Sequence, residues 1–220
     1  MEYKGIKVEW LHHDCFRLEK DSLMIYTDPY KAQKEYNDAD IILITHDHYD
    51  HCDPESIRKL VKSDTTIVAP KDCEEKLKEF SQKKVFVSPN EVKIVSGVSI
   101  RTVPSYNLNK FLSPGKVFHP KEKGNVGYVF IFSGVKFYIA GDTDFIPEMT
   151  DIKVDVAFLP VSGIYVMTNT EAAEAAIAIK PEIAIPMHYG SGIGSEEDAR
   201  RFKENLKGKI KTEILNSIEK

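Results

Sequence analysis

The 220-residue sequence has few of the features that mark disulfide-rich, membrane or secreted proteins. It contains only three cysteines, Cys15, Cys52 and Cys73, an odd number without the spacing of a disulfide framework. No apolar run approaches the roughly 18 residues that would span a bilayer. No targeting segment is visible before the first alternating pattern at residues 6–10. We therefore expect a cytoplasmic protein that does not enter a membrane.

The chain also has no excess of positive charge. Lys and Arg number 30 against 34 Asp and Glu, so the net charge is −4 and the chain has no general attraction to nucleic acid. A local patch would be needed, and the lysine-bearing segment 116–123 is more simply interpreted as a solvated loop. A hydrophobic content of 42% and a length that can bury one core predict a single globular domain over residues 1–220.

The order of predicted elements indicates an α+β fold. Strands are expected at 6–11, 14–19, 22–27, 41–44, 66–69, 85–87, 92–95, 98–104, 126–132, 135–140, 155–160, 183–187 and 211–215, and helices at 54–62, 71–80, 170–179 and 196–206. Capping-box spacing precedes the last two helices. Two mostly antiparallel sheets with helices outside them, a four-layer αβ/βα sandwich, would account for this order. Residues 107–125 carry Pro and Gly without periodicity and are interpreted as an active-site loop.

The most informative segment is His46-Asp47-His48-Tyr49-Asp50-His51, which follows the buried-strand pattern at 41–44. Imidazole nitrogen and carboxylate oxygen suit Zn, Fe or Mn, and a hydrolytic site keeps one position open for water. His46 and His48 can point to one side of an extended segment, whereas Asp50 and His51 follow after the chain has bent. This geometry predicts two neighbouring metal positions.

Two later strands also end in metal-binding side chains. The strand 135–140 runs into Gly141-Asp142, where glycine permits a tight turn that presents the carboxylate. The strand 183–187 runs into His188. Each signal is weak alone, but a dinuclear site needs additional ligands of this kind and a carboxylate able to bridge two ions.

These motifs make the chain resemble the metallo-β-lactamase-fold hydrolase superfamily, and within it the branch of ascorbate-6-phosphate lactonase-like Zn-dependent hydrolases. The resemblance rests on residues 10–16, 27–29, 45–51, 141–143 and 186–188. It implies a first ion bound by His46 and His48, a second bound by Asp50, His51 and His188, and a bridging Asp142. It also implies that Asp28 orients a ligand histidine, which physics favours because a ligating imidazole needs an acceptor for its other N–H.

Two departures from the family pattern leave alternatives open. His12 replaces the opening glycine of the family. His13 stands where the family has a histidine that often lies beside the metals, and for His13 two alternatives stay open, such a position or that of an ordinary hydrogen-bonded residue. The third ligand of the first ion is the other departure. Relatives have a histidine shortly after a Val-Pro or Thr-Pro strand end, where this chain has Asn107. We favour His119, from the long loop, over Asn107.

The predicted activity is hydrolysis by a metal-activated water, with one or two Zn²⁺ per chain and Mn²⁺ or Fe²⁺ as alternatives. Asp50, Asp142 and His119 are the predicted catalytic residues, and His119, His13 or Tyr106 are candidates for orienting the substrate or helping the leaving group. A small polar ester, lactone or phosphodiester is expected, and an anionic one would suit the lysines of the long loop. The alternatives are a ribonuclease Z-like nuclease, a diiron oxygen or nitric oxide reductase, and a metal-binding protein without turnover. The diiron family usually has Glu in the place of His48 and needs a flavin domain.

Overall fold

The computed structural model describes residues 1–190 and 192–219. Its strands are β1 (Glu2–Tyr3), β2 (Ile6–His12), β3 (Cys15–Lys20), β4 (Leu23–Thr27), β5 (Ala39–Leu43), β6 (Val61–Pro70), β7 (Lys83–Val87), β8 (Val92–Val95), β9 (Val98–Pro104), β10 (Phe111–Ser113), β11 (Lys116–Val117), β12 (Val126–Phe132), β13 (Val135–Ile139), β14 (Val156–Pro160), β15 (Ile183–Met187) and β16 (Lys211–Thr212). The α-helices are α1 (Pro54–Leu60), α2 (Glu74–Leu77), α3 (Asn169–Ile179) and α4 (Glu196–Asn205).

The strands form two seven-stranded sheets. The first contains β1 to β7 in chain order, and the second has the order β16-β15-β14-β13-β12-β9-β8. In the first sheet the pairings from β1 to β4 are antiparallel and those from β4 to β7 are parallel. The second sheet is likewise antiparallel from β8 through β13 and parallel from β13 to β16. Both sheets are therefore mixed.

Apolar side chains from both sheets form the core between them. Phe16 of β3 lies against Phe158 of β14 with ring centroids 4.5 Å apart. A second apolar cluster covers the other face of the first sheet, where Ile57 and Leu60 of α1 join Ile42 and Ile67. On the second sheet, α3 packs against β14 and α4 against β15. The α+β fold and its four-layer αβ/βα arrangement agree with the prediction.

The helices begin where their capping residues predict. Asp53 accepts hydrogen bonds from the backbone N–H groups of Glu55 and Ser56 at the start of α1, and Thr168 forms a capping box with Glu171 at the start of α3. No helix in residues 1–190 and 192–219 is long and apolar enough to cross a bilayer.

Several element bounds differ from the prediction. The helix expected over 71–80 is a short 3₁₀ turn at Lys71–Cys73 followed by the single turn of α2, and the last strand ends at Thr212 rather than 215. The helix expected over 54–62 ends at Leu60, since β6 begins at Val61. The loop 107–125 is partly ordered by the β10–β11 hairpin. In such short elements the sequence periodicity is weak, so hydrogen bonds to neighbouring segments determine where the element begins and ends.

Candidate metal centre

The predicted ligands of both sheets meet at one end of the molecule. His46 follows β5 of the first sheet, while Asp142 and His188 follow β13 and β15 of the second. Gly141 has φ +65°, and a Cβ there would lie 2.9 Å from the Cβ of Thr45. Only glycine permits this close approach of the two sheet ends without displacing Thr45.

One cluster contains His46, His48, His119 and Asp142, whose candidate ligand atoms all lie within 4.8 Å of one another. His119 Nε2 lies 3.2 Å from His48 Nδ1 and 3.4 Å from Asp142 Oδ2. The structure thus brings His119, 71 residues from His48 along the chain, into the position expected for a third nitrogen ligand.

A second cluster contains His13, Asp50, His51 and His188 within the same 4.8 Å limit. His51 Nε2 and His188 Nε2 lie 3.2 and 3.3 Å from the two carboxylate oxygens of Asp142. Asp142 therefore lies between the clusters, where a bridging carboxylate would be. His13 Nε2 is 3.4 Å from Asp50 Oδ2, so His13 lies beside the predicted ligands.

Four of the histidines use Nδ1 for a hydrogen bond to the protein. The partners of His46, His51, His119 and His188 are respectively Thr45 Oγ1, Asp28 Oδ2, Asn107 Oδ1 and Ser162 Oγ, at 2.9 to 3.0 Å. An Nδ1–H donated to these oxygens leaves the Nε2 lone pair free. The Nε2 atoms of His46, His51 and His188 are buried and have no hydrogen-bond partner. Such orphaned acceptors, converging on one carboxylate, fit a metal ion.

Asn107 supports His119 instead of replacing it. Its Nδ2 donates to the backbone oxygen of Tyr165 at 2.8 Å, which turns Oδ1 toward the imidazole. That oxygen accepts from both the backbone N–H and Nδ1 of His119, each at 2.9 Å. The Asn107 amide is therefore engaged with His119 and Tyr165, while His119 itself belongs to the first cluster.

Asp28 occupies the orienting position that the resemblance implied. Its Oδ2 is 3.0 Å from His51 Nδ1 and accepts from the Thr45 hydroxyl, while Oδ1 accepts from the Thr45 backbone N–H. Asp28 is fully buried and has φ +36°. A non-glycine residue in this region costs free energy that the surrounding hydrogen bonds must offset.

Sequence reasoning missed three residues at the site. The hydroxyl groups of Thr45 and Ser162 form hydrogen bonds with His46 and His188, respectively. Thr45 is next to the histidine motif in the sequence, but no sequence pattern marks Ser162. Asp14 is fully buried, and neither of its carboxylate oxygens has a hydrogen-bond partner. Its Oδ2 is 3.8 Å from His51 Nδ1, and burial raises the pKa of Asp14 to about 7.

Burial and neighbouring charge set the protonation states of the site. Burial lowers the pKa of His46 well below its usual value and lowers the pKa values of His13 and His119 to about 4, so these rings are neutral at neutral pH. Burial also opposes the charge on Asp50, but the hydrogen bond with His13 and the charge on His51 outweigh it and lower the pKa of Asp50 to about 2. Burial acts to lower the pKa values of His51 and His188 as well, but the negative charge of Asp142 outweighs it and raises them. A metal ion binds neutral imidazoles and ionised carboxylates, so an ion at this position would take the place of the protons on these two rings.

Two residues considered from the sequence lie elsewhere. The Tyr106 hydroxyl donates to Glu148 Oε2 at 3.0 Å and does not line the cavity above the clusters, so the role in orienting substrate is wrong for it. His12 lies outside both clusters, with Nε2 3.8 Å from Glu219 Oε2. His12 is the last residue of β2, whereas His13 lies in the following turn with φ +53°.

A cavity of about 280 Å³ opens above the two clusters. Its lining residues are His48, Tyr49, Asp50, Phe118, His119, Asp142, Tyr165 and Ile193. Residues of both clusters, including Asp50 and Asp142, are therefore accessible from one depression. A metal ion held by the clusters would face this cavity.

Comparisons with known proteins agree with this architecture. A family described as a beta-lactamase superfamily domain matches residues 7–188 of the chain. A metal-dependent hydrolase of Thermoplasma acidophilum is 34% identical, with 96% of this chain and 95% of that protein covered. A crystal structure from Parabacteroides distasonis, described as that of a candidate metal-dependent hydrolase, is 35% identical with a TM-score of 0.81 over 96% of this chain and 93% of that one. A candidate Zn-dependent hydrolase of the metallo-beta-lactamase superfamily from Thermotoga maritima, 22% identical over 96% of this chain and 98% of that one, shares the fold with a TM-score of 0.63. The chain therefore belongs to the beta-lactamase superfamily and, within it, to the metal-dependent hydrolases.

Proposed function

We propose that this hydrolase holds two divalent metal ions and uses them to cleave an ester, a lactone or a phosphodiester. One observation carries the proposal: two histidine clusters share the carboxylate of Asp142, and the buried Nε2 atoms of His46, His51 and His188 have no hydrogen-bond partner. Leaving buried polar atoms unpaired costs roughly 1–3 kcal/mol each, so a protein rarely retains several at one point without a ligand.

We assign residues to each ion from the composition of the two clusters. His46, His48 and His119 would bind the first, Asp50, His51 and His188 the second, and Asp142 both. Three nitrogens and a shared carboxylate suit Zn²⁺, with Mn²⁺ and Fe²⁺ as further candidates. Bound there, the ions would acidify a water molecule and polarise the scissile group of the substrate.

The catalytic roles proposed for Asp50, Asp142 and His119 follow from their positions. Asp50 lines the cavity and its low pKa keeps it ionised, so its carboxylate can accept a hydrogen bond from the attacking water. Asp142 fixes the spacing between the two clusters. His119 borders the cavity and is held by Asn107, so it sets one wall of the reacting position.

The test combines metal analysis with a substrate panel. We expect elemental analysis to find up to two divalent ions per chain, and we expect the protein to hydrolyse at least one ester, lactone or phosphodiester. His48→Ala should lower kcat/KM by about 100-fold or more, since one of the first ion's ligands is lost. His48 is exposed, so this variant should retain the wild-type circular dichroism spectrum.

His12→Ala is the matched control, because His12 lies outside both clusters. It should leave metal content and turnover unchanged. A metal-free protein after purification with added Zn²⁺ would contradict the proposal, and so would full activity in His48→Ala. Unfolding of His48→Ala would show that the ion is structural.

A further inference from the structure

The lysines of the long loop, expected to attract an anionic substrate, are engaged elsewhere. Lys110 Nζ lies 2.8 Å from Glu171 Oε2 and 3.2 Å from Asp144 Oδ1. Lys121 Nζ lies 2.8 Å from Glu148 Oε1. Both ammonium groups are paired with carboxylates, and neither lysine lines the cavity beside the clusters.

The remaining lysines of the loop do not reach the cavity either. Lys123 Nζ is 3.5 Å from Asp72 Oδ2 and 3.6 Å from Asp47 Oδ1, and Lys116 is exposed on the β10–β11 hairpin. Within the part of the chain that the structure describes, no lysine or arginine lines the cavity. A charged group on the substrate, away from the reacting atoms, would find no counter-ion there.

The walls of the cavity are instead apolar and aromatic. Tyr49, Phe118, Tyr165 and Ile193 surround the predicted ligands. Phe118 and Tyr165 pack edge to face with ring centroids 4.6 Å apart. Tyr49 is 64% exposed although it is a large aromatic residue. Aromatic side chains left open to solvent at the rim of a polar centre mark a surface that binds apolar groups.

The volume limits the size of that group. An engineered cavity of roughly 150 Å³ accommodates benzene. At about 280 Å³ the cavity therefore has room for one ring or a branched alkyl chain together with the reacting group. A large polymer could place only one residue in it.

We propose that the part of the substrate next to the scissile bond is an uncharged aromatic or branched aliphatic group. This proposal rests on the hydrolase function proposed above and replaces the expectation of an anionic substrate. Burying a charge against apolar walls without a partner is costly, whereas burying an apolar group there is favourable.

The test compares phenyl acetate with 4-sulfophenyl acetate, two aryl esters that differ by one remote negative charge. The kcat/KM of the Zn²⁺-loaded enzyme for each ester is divided by the rate constant of that ester with hydroxide, to remove the difference in leaving group. We expect the neutral ester to be preferred by about tenfold or more. An equal or higher corrected value for the sulfonate would overturn the proposal.

Tyr49→Lys places a cation at the rim of the cavity on a side chain exposed enough to change without unfolding the protein. The preference for the neutral ester should fall by about tenfold. Ile131→Lys is the matched control, since Ile131 is an exposed apolar residue of β12 that does not line the cavity. It makes the same change in net charge and should leave the preference unaltered. An unaltered preference in Tyr49→Lys would count against the proposal.

A second measurement does not depend on turnover. Binding of the amide analogues acetanilide and 4-acetamidobenzenesulfonate to the Zn²⁺-loaded protein is followed by ligand-observed NMR. We expect acetanilide to bind more tightly and its binding to weaken in Phe118→Ala. If acetanilide binds preferentially but neither ester nor any other substrate of the panel is hydrolysed, the proposed hydrolase function is disproved. The apolar subsite, formed by the apolar and aromatic walls of the cavity, would then still be supported. Failure of acetanilide to bind, or tighter binding of the sulfonate, would overturn the subsite.

Discussion

At the scale of single residues, the site depends on which nitrogen of each histidine carries the proton. A histidine that donates Nδ1–H to a fixed oxygen can offer Nε2 to a metal ion, and the partner oxygen also fixes the ring orientation. Asn107 shows this most clearly, because its own amide is oriented by the backbone oxygen of Tyr165. A residue considered as a ligand from the sequence thus contacts a candidate ligand, His119, instead.

We predict different effects for His119→Ala and Asn107→Ala. Removal of His119 takes away a nitrogen of the first cluster, so metal stoichiometry should fall toward one per chain. Removal of Asn107 leaves His119 present but loosely held, and the affinity for the first ion should fall by about 10- to 100-fold with stoichiometry retained at high metal concentration. Isothermal titration with Zn²⁺ of the metal-free proteins measures both quantities.

Asn109→Ala is the control for these variants. Asn109 belongs to the same loop, but its amide donates to Glu171 and not to a histidine of the site. Its Zn²⁺ affinity should match that of the wild type. Full affinity in Asn107→Ala would show that the Asn107–His119 hydrogen bond does not position the ligand.

At the scale of elements, helix α3 anchors the loop that carries His119. Glu171 closes the capping box of α3 by accepting from the backbone N–H of Thr168 at 2.8 Å. The same carboxylate accepts from Lys110 Nζ at 2.8 Å and from Asn109 Nδ2 at 3.0 Å. One side chain therefore stabilises both the start of a helix and the start of the loop.

We predict that Glu171→Gln lowers the free energy of unfolding by about 1 kcal/mol at neutral pH. Burial acts to raise the pKa of Glu171, but its bonds with Lys110 and Thr168 outweigh burial and lower the pKa from 4.5 to about 2. A depressed pKa contributes stability above pH 4.5 that is lost as pH falls toward 2. The difference between the variant and the wild type should therefore shrink in that range, as urea unfolding at several pH values would measure.

Glu174→Gln is the control on the same helix, since Glu174 is exposed and makes no ion pair in residues 1–190 and 192–219. Its unfolding free energy should differ little from that of the wild type at any pH. A constant difference for Glu171→Gln across the whole range would mean that charge plays no part in the contact.

At the scale of the whole molecule, the candidate metal centre joins the two sheets. His46, His48, Asp50 and His51 follow β5 of the first sheet, and Asp142 and His188 follow strands of the second. Ions bound between them would cross-link the two halves of the chain. Ligands that bind only the native state stabilise it in proportion to the logarithm of their concentration.

Metal removal should therefore lower the melting temperature. With a metal concentration about 100 times the dissociation constant, chelation should reduce it by roughly 5–10 °C for a chain of this size. Adding Zn²⁺ should restore the original value, whereas Mg²⁺, which prefers six oxygen ligands, should not. Differential scanning calorimetry with parallel elemental analysis measures the effect. An unchanged melting temperature in fully metal-free protein would contradict a cross-linking role.

The sequence by itself determined the fold class and most of the candidate site. Long strands with strict alternation or apolar runs, such as 126–132, are local signals, and so is the dense motif from His46 to His51. The positions of Asp142 and His188 after strand ends were also visible in the sequence. The β10–β11 hairpin was not predicted, and the helix that contains α2 was predicted too long, because a few residues carry too little periodicity.

Only the tertiary structure decided which distant groups meet. Spacing in the sequence made both Asn107 and His119 candidates for the third ligand. In the structure His119 belongs to the first cluster, and the Asn107 amide is hydrogen-bonded to the His119 ring. Ser162 and Asp14 reach the site through the packing of the two sheets, which no local pattern records. The lysines of the long loop were assigned to the substrate because composition reveals charge but not its partners. Their pairing with Glu171, Glu148 and Asp72 depends on contacts between segments far apart in the chain, which form only when the sheets pack together.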